Sequence, residues 1–206
     1  MPLKSIRLLL FVLIGLVAAG NVLYFGAAWL TKSESSAAGL IPPTNTIGGP
    51  FSVVDQSGAP VTDKDLAGRP TAMFFGYTFC PDVCPTTLAE MSEWLKALGP
   101  AGERLQVVFV TVDPTRDTPE KLKDYLGSFD PHIRGFTGSP EAIGGILKAY
   151  RVFARKVPSE TGGDYLMDHT AGIYLMNAKG LFVGLINYQE DSDKAIAKLK
   201  ALIAQG

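Results

Sequence analysis

The sequence predicts a thioredoxin-like α/β sandwich preceded by a single N-terminal transmembrane helix. Short apolar runs at 71–75 and 105–112 suit buried strands, and each is followed by a segment with helical patterning. A hairpin and a last helix then complete the order of strands and helices expected of that sandwich. Positions 8–30 hold no charged residue, which is about the length that a helix needs to cross a bilayer.

The charges around the apolar run predict its orientation. Lys4 and Arg7 precede it, so the N-terminus is expected in the cytoplasm of a bacterium and the rest of the chain in the periplasm, tethered to the inner membrane. The alternative is a cleaved signal peptide with its apolar core at 8–17. Because the run continues to Trp29, we favour the uncleaved anchor. Both interpretations export the domain.

Composition divides the chain into three parts. We expect an anchor or signal segment at 1–30, a linker rich in Ser, Ala, Gly, Pro and Thr at 31–49, and a thioredoxin-like domain at 50–206. The formal net charge is −1, and the chain has no basic run. Nucleic acid is therefore excluded as a predicted partner.

Each element of the domain has its own sequence signal. The first helix has apolar residues three or four positions apart, and the next two begin with a capping residue, a proline and a glutamate. Turn residues at 177–180 predict the late hairpin. The predicted elements are a hairpin at 51–62, strands at 71–75, 105–112 and 153–157, helices at 85–98, from 118, at 139–150 and at 192–205, and a hairpin at 171–186.

The only two cysteines, Cys80 and Cys84, lie where the strand at 71–75 passes into a helix. Unpaired N–H groups and the helix dipole stabilise a thiolate at such a position, and the thiolate is both the nucleophile and the metal ligand. A spacing of four positions on a helical turn places the two Cβ atoms about 5–6 Å apart. Two thiolates suit Cu(I), and an imidazole would complete a site for either copper oxidation state.

His169 is the candidate imidazole ligand. It precedes the predicted strand at 171–176, and in a thioredoxin-type sheet the loop that enters this strand faces the cysteine turn. Asp168 is a candidate outer-shell group that orients the ring. The other histidine, His132, stands at the start of a different strand, has no comparable position and is interpreted as a surface or structural residue.

Three segments, FFGYTFCPDVCPTTL, VTVDPTRDTPEKLKDYL and YLMDHTAGIYLMN, together resemble the Sco/SenC family, extracytoplasmic proteins needed for copper delivery to cytochrome c oxidase. The resemblance runs from about Pro50 to the C-terminus. It implies a thioredoxin-like fold, copper bound by Cys80, Cys84 and His169, and support of the copper chemistry by Asp168. The implied recipient is the dinuclear copper (CuA) site of oxidase subunit II, and other copper chaperones or thiol-disulfide proteins are further candidate partners.

The second of these segments is similar to the hallmark loop of that family. It contains Asp113-Pro114 and the run from Arg116 to Pro119. Taken residue by residue, the segment predicts only a turn followed by a helix cap, and we favour that simpler interpretation.

The resemblance leaves two roles open, copper delivery and thiol-disulfide reduction. Members of the family look like copper chaperones, thiol-disulfide reductases that keep the oxidase cysteines reduced, or both. Because a chaperone has no catalytic turnover, we do not predict an enzyme.

Three other classes fit less well. A general thioredoxin has two residues between its cysteines and a proline near Thr170, and a peroxiredoxin has a threonine where Pro81 stands. A structural disulfide in an interaction domain would close too short a loop to remove much unfolded-chain entropy.

Overall fold

The computed structural model describes residues 15, 17, 20–22, 38–158 and 165–205. The chain divides into two compact units, Met1–Ala37 and Ala38–Gly206. In the first unit the five described positions are helical, and the rest of the predicted anchor at 1–30 lies outside the described residues. Among the described residues, no helix has both the length and the apolar character needed to span a membrane.

The second unit has a mixed α/β thioredoxin-like fold built on a seven-stranded sheet. Its strand order is β2-β1-β5-β4-β3-β8-β9, and β6 and β7 form a separate two-stranded sheet. β3 pairs with β4, and β4 with β5, in parallel; the other pairs are antiparallel. The strands are β1 Ser52–Asp55, β2 Pro60–Thr62, β3 Thr71–Gly76, β4 Gln106–Thr111, β5 Ile133–Thr137, β6 Ala154–Pro158, β7 Tyr165–His169, β8 Ile173–Met176 and β9 Phe182–Ile186.

Four α-helices pack around this sheet in the described part of the second unit: α1 Val83–Leu98, α2 Pro119–Leu126, α3 Pro140–Ala149 and α4 Ser192–Ile203. α1 packs against α4, where the Trp94 indole donates to the Ser192 hydroxyl at 3.2 Å. The predicted caps are present, since Thr118 and Ser139 accept from backbone N–H groups in the first turns of α2 and α3. The apolar spacing of the sequence therefore predicted these helices to within a few residues.

The strand directions bring three distant segments to one edge of the sheet. Gly76 and Thr111 end the parallel strands β3 and β4 in register, so the cysteine turn and the segment at 112–118 leave the sheet side by side. β8 runs the other way and starts opposite Phe74, so the chain that enters it arrives at the same edge. All residues of β3, β4 and β8 are buried, which makes this edge the rim of a rigid core.

Part of the segment that composition assigned to the linker at 31–49 is bonded to the domain. Leu40 is buried, the Ile41 N–H donates to the Val183 carbonyl at 2.7 Å, and Thr44 pairs with Phe182. A few apolar side chains and backbone hydrogen bonds to β9 hold this part of the 31–49 segment on the domain. Such contacts cannot be predicted from a composition rich in small and polar residues.

β7 is a strand that the sequence analysis did not predict. Residues 165–169 pair antiparallel with β6 and end on His169, which the sequence placed in a loop before β8. Apolar and polar side chains do not alternate in residues 165–169, because the polar residues Asp168 and His169 follow one another at the end of the segment. The strand forms because β6 offers it a partner, not because of a strong local signal.

Gly76 generates the first prediction. A Cβ at this position would lie 2.7 Å from a Phe109 ring carbon and 2.8 Å from the Cys84 sulfur, both in the core. Overpacking of this kind costs about 1–3 kcal/mol, so Gly76→Ala should lower the free energy of unfolding of the reduced protein by that amount in urea denaturation.

Gly144 supplies the control for this measurement. It lies inside α3, and a Cβ there meets nothing within 4 Å. Gly144→Ala should raise the stability by roughly 0.5–1 kcal/mol, since alanine loses less backbone entropy in a helix. A Gly76→Ala protein as stable as the wild type would contradict the close packing between β3 and the Cys84 sulfur.

Candidate metal centre

The two cysteines lie at the turn between β3 and α1. The Cys80 N–H donates to the Tyr77 carbonyl at 3.3 Å, which curls the chain after the strand ends. α1 then begins at Val83, and the Cys84 N–H points at the Cys80 sulfur, 3.3 Å away. The Cys80 sulfur therefore lies at the N-terminal end of a sixteen-residue helix, where free N–H groups favour negative charge.

The structure brings all three predicted ligands together. One ligand atom from each of Cys80, Cys84 and His169 lies within 4.8 Å of the other two, and the Cys84 sulfur lies 3.5 Å from His169 Nε2. Cys84 is buried, whereas Cys80 and His169 are partly exposed. The two cysteines are not joined by a disulfide. A single ion could therefore contact both sulfurs and the imidazole after small side-chain movements.

The imidazole of His169 is held in a defined orientation. Its Nδ1 lies 3.0 Å from the Thr170 carbonyl oxygen, and because a carbonyl can only accept, Nδ1 carries the hydrogen. In the neutral ring, Nε2 then keeps its lone pair and directs it towards Cys84. Edge contacts with the rings of Tyr77 and Phe74, at centroid distances of 5.8 and 6.4 Å, support the ring from the core side.

Asp168, the predicted outer-shell group, lies apart from the ring. Its side chain is 53% exposed and pairs with Arg155 at 3.2 Å. Successive residues of a strand point to opposite faces, so the residue next to His169 directs its carboxylate away from it. The Thr170 carbonyl makes the hydrogen bond to the imidazole. The support that Asp168 gives to copper chemistry stays a prediction.

The second histidine lies elsewhere. The two ring nitrogens of His132 contact Asp130 at 2.8 Å and Glu103 at 3.0 Å, on the surface. These carboxylates raise the pKa of His132. The location agrees with the surface role that the sequence suggested.

The two thiols differ strongly in acidity. The hydrogen bond from the Cys84 thiol is the largest cause that lowers the pKa of Cys80, to about 4, and the backbone N–H groups of Asp82 and Cys84 act in the same direction. The pKa of Cys84 is raised, because its hydrogen bond to Cys80 favours the protonated form and because it is buried. In the reduced protein Cys80 is therefore the thiolate and Cys84 the thiol.

Asp117 supports the cysteine turn through hydrogen bonds to Thr78, a role that the sequence analysis did not predict. This fully buried carboxylate accepts from the Thr78 hydroxyl at 2.6 Å, from the Thr78 N–H at 3.1 Å and from the Thr111 hydroxyl at 2.6 Å. Burial is the main cause that raises its pKa. The available signal was an aspartate shortly after a mainly apolar strand, which places a charged group near the core.

A groove opens beside the three candidate ligands. It has a volume of about 390 Å³, and Cys80 and His169 lie in its wall together with apolar side chains of the turn and of the sheet formed by β6 and β7. Solvent or a side chain of another protein can reach the partly exposed ligands through it. The donor set itself, two sulfurs and a neutral imidazole, fits the copper predicted from the sequence.

The model of the SCO1/SenC family matches residues 41–204 of this chain. The chain belongs to the SCO1/SenC family. Among its relatives, Protein SCO1, mitochondrial, of Saccharomyces cerevisiae is 39% identical over 164 residues, which are 77% of this chain and 56% of that protein. A SCO2-like protein of Rickettsia felis is 32% identical over 199 residues, covering 95% of this chain and 97% of the relative. The chain thus spans about half the length of the yeast relative.

Solved structures of the family share this fold. Bradyrhizobium japonicum ScoI with copper bound is 52% identical with a TM-score of 0.71, covering 76% of this chain and 99% of the other. Yeast Sco1 with copper bound is 36% identical with a TM-score of 0.72, covering 78% and 90%. The family predicted from three sequence segments is therefore confirmed.

The unequal thiols generate the second prediction. Because the folded pKa of Cys80 is lowered to about 4, its thiolate stabilises the folded state most fully above the ordinary thiol pKa, and this contribution is lost as the pH falls through about 4. Ultraviolet thiolate absorbance of the reduced protein should report one thiolate per chain at neutral pH, lost with a midpoint near 4.

Cys84→Ala is the informative variant for this titration. It removes the S–H donor, so the Cys80 midpoint should rise towards the ordinary thiol value. Two thiols that titrate together near that ordinary value in the wild type would contradict the assignment.

Proposed function

We propose that this chain is an extracytoplasmic copper chaperone that delivers copper to the CuA site of cytochrome c oxidase subunit II during assembly. Reduced Cys80 and Cys84 bind the ion, His169 completes the coordination, and the ion passes to the partner by ligand exchange. Copper is the cargo, so the proposal involves no catalytic turnover. The observation that carries the proposal is the convergence of three soft or borderline donors within 4.8 Å.

Ligand exchange needs an accessible site. Cys80 and His169 are partly exposed along the open groove, so a ligand of the recipient can approach the ion before the deeper Cys84 releases it. The relatives add support: the structures of Bradyrhizobium japonicum ScoI and yeast Sco1 both contain copper. Family membership supports the oxidase as the destination.

The same geometry supports a second candidate function, a thiol-disulfide reductase. Cys80 is a partly exposed thiolate and Cys84 a buried thiol beside it. The Cys80 thiolate would attack a disulfide of the recipient and release one recipient thiolate. Cys84, on losing its proton, would then displace the second recipient sulfur and leave the Cys80–Cys84 disulfide. Two electrons move from this chain to the recipient, which becomes able to bind copper.

The proposal places the domain outside the cytoplasm, attached to the inner membrane of a bacterium through the segment at 1–30. The charge-free apolar run at 8–30 and the basic residues before it support this location. In an exported domain the copper site would lie in the compartment that the CuA site faces.

The third prediction separates the two candidate functions. Titration of the reduced chain with Cu(I) and with Cu(II) should give one tight copper per chain. His169→Ala should lower the affinity for Cu(II) by more than about tenfold. A change to a residue that only orients a ligand already costs about that much. The affinity for Cu(I) should fall less, because two thiolates are enough to bind Cu(I).

His132→Ala is the matched control, since it removes the other imidazole and should leave both titrations unchanged. Disulfide reduction without stoichiometric copper would favour the reductase. A disulfide that stays inert to reductant under native conditions would contradict both candidates and favour a structural role.

A further inference from the structure

β7 carries His169, yet it does not belong to the seven-stranded sheet. Among the strands that the structure describes, its ladder partner is β6 alone, and the three residues 170–172 join it to β8. A two-stranded sheet of this kind is marginally stable by itself. The position of the imidazole therefore depends on what fixes β7 at the end opposite to His169.

That opposite end begins at Tyr165, and Arg116 holds it. The guanidinium Nη1 donates to the Tyr165 carbonyl at 2.9 Å, and the guanidinium carbon lies 3.8 Å from the centroid of the Tyr165 ring. The Tyr165 hydroxyl donates to Asp113 Oδ1 at 2.9 Å, and Arg116 Nε donates to Asp113 Oδ2. Asp113 is buried at the start of the turn after β4, so Tyr165 is tied to the rim of the core.

The same guanidinium also touches the cysteine turn. Its carbon lies 4.7 Å from the centroid of the Phe79 ring and 5.8 Å from that of Tyr77. Phe79 directly precedes Cys80. One planar cation therefore contacts both segments that carry ligands, while a buried carboxylate fixes the cation itself. We call Asp113, Arg116 and Tyr165 the clamp.

We propose that Arg116, acting through the clamp, is a positioning residue that sets the distance between the His169 imidazole and the two sulfurs. Without it, β7 loses the contact that fixes its Tyr165 end and moves more about residues 170–172, so that Nε2 is held less closely to Cys84. The inference rests on the proposed copper binding. Cu(II) needs the imidazole more than Cu(I) does, so loss of the clamp affects chiefly the Cu(II) complex.

Arg116→Lys in the full chain tests this. Lysine keeps the charge opposite Asp113, but it cannot stack flat on a ring or donate through a planar fork. Cu(II) affinity should fall by about tenfold or more, comparable to the loss of an outer-shell partner. The sulfur-to-copper charge-transfer bands and the electron paramagnetic resonance spectrum of Cu(II) should change, while Cu(I) affinity stays within a few-fold.

A measurement without copper accompanies this one. Backbone amides at 165–169 should exchange hydrogen faster in Arg116→Lys than in the wild type, because β7 opens more often. The matched control is Arg134→Lys, since Arg134 also pairs with an aspartate and lies over a ring, Asp55 at 3.7 Å and Phe136 at 5.2 Å, but contacts no ligand-bearing segment. It should leave the spectra and the exchange at 165–169 unchanged.

The double variant Asp113→Asn/Arg116→Met serves if the single variant does not fold, since it removes both buried charges together. Its Cu(II) affinity and spectrum should change as in Arg116→Lys. Wild-type Cu(II) affinity and spectra in folded clamp variants would overturn the inference, as would faster exchange with an unchanged Cu(II) site. A wild-type chain that binds no copper would instead overturn the proposed function.

Discussion

The parallel register of β3 with β4, together with the antiparallel approach of β8, is the constraint on which the site depends. It brings the cysteine turn, the acidic turn at 112–118 and the chain around His169 to one edge of the sheet. The strands beneath are wholly buried and close-packed, so the edge cannot shift without opening the core. Residues 85 positions apart in sequence can therefore be held within a few ångströms.

This constraint makes the two cysteines, both candidate ligands, unequal in burial and acidity. Cys84 lies against Gly76 in the core, whereas Cys80 lies at the helix N-terminus beside the groove. The buried thiol donates to the exposed sulfur and keeps it ionised at neutral pH. A site with one deep and one accessible sulfur can hold an ion and can also release it, because an incoming ligand meets the accessible side first. The same inequality suits attack on a disulfide, so the geometry supports both chaperone and reductase chemistry.

The local sequence pattern predicted the structural elements that depend on local interactions. Apolar periodicity and helix caps gave the main strands and helices of the domain, and the position of the cysteines at a strand-to-helix turn gave two candidate ligands. His169 could be predicted only by combining its place before β8 with the expected sheet. β7 could not be predicted, since its pairing with β6 supplies the order that its mixed residues lack. The burial of Asp117 and of the clamp also depends on tertiary contacts, and in isolation these residues predict only a turn and a cap.

The central claim is that one copper ion is bound by two sulfurs and one imidazole from this chain. X-ray absorption at the copper edge of the loaded protein tests it most directly. We expect scattering from two sulfurs and one imidazole nitrogen shell, with the imidazole contribution lost in His169→Ala and kept in His132→Ala. Copper bound by sulfur alone in the wild type, or imidazole scattering that persists in His169→Ala, would contradict the account.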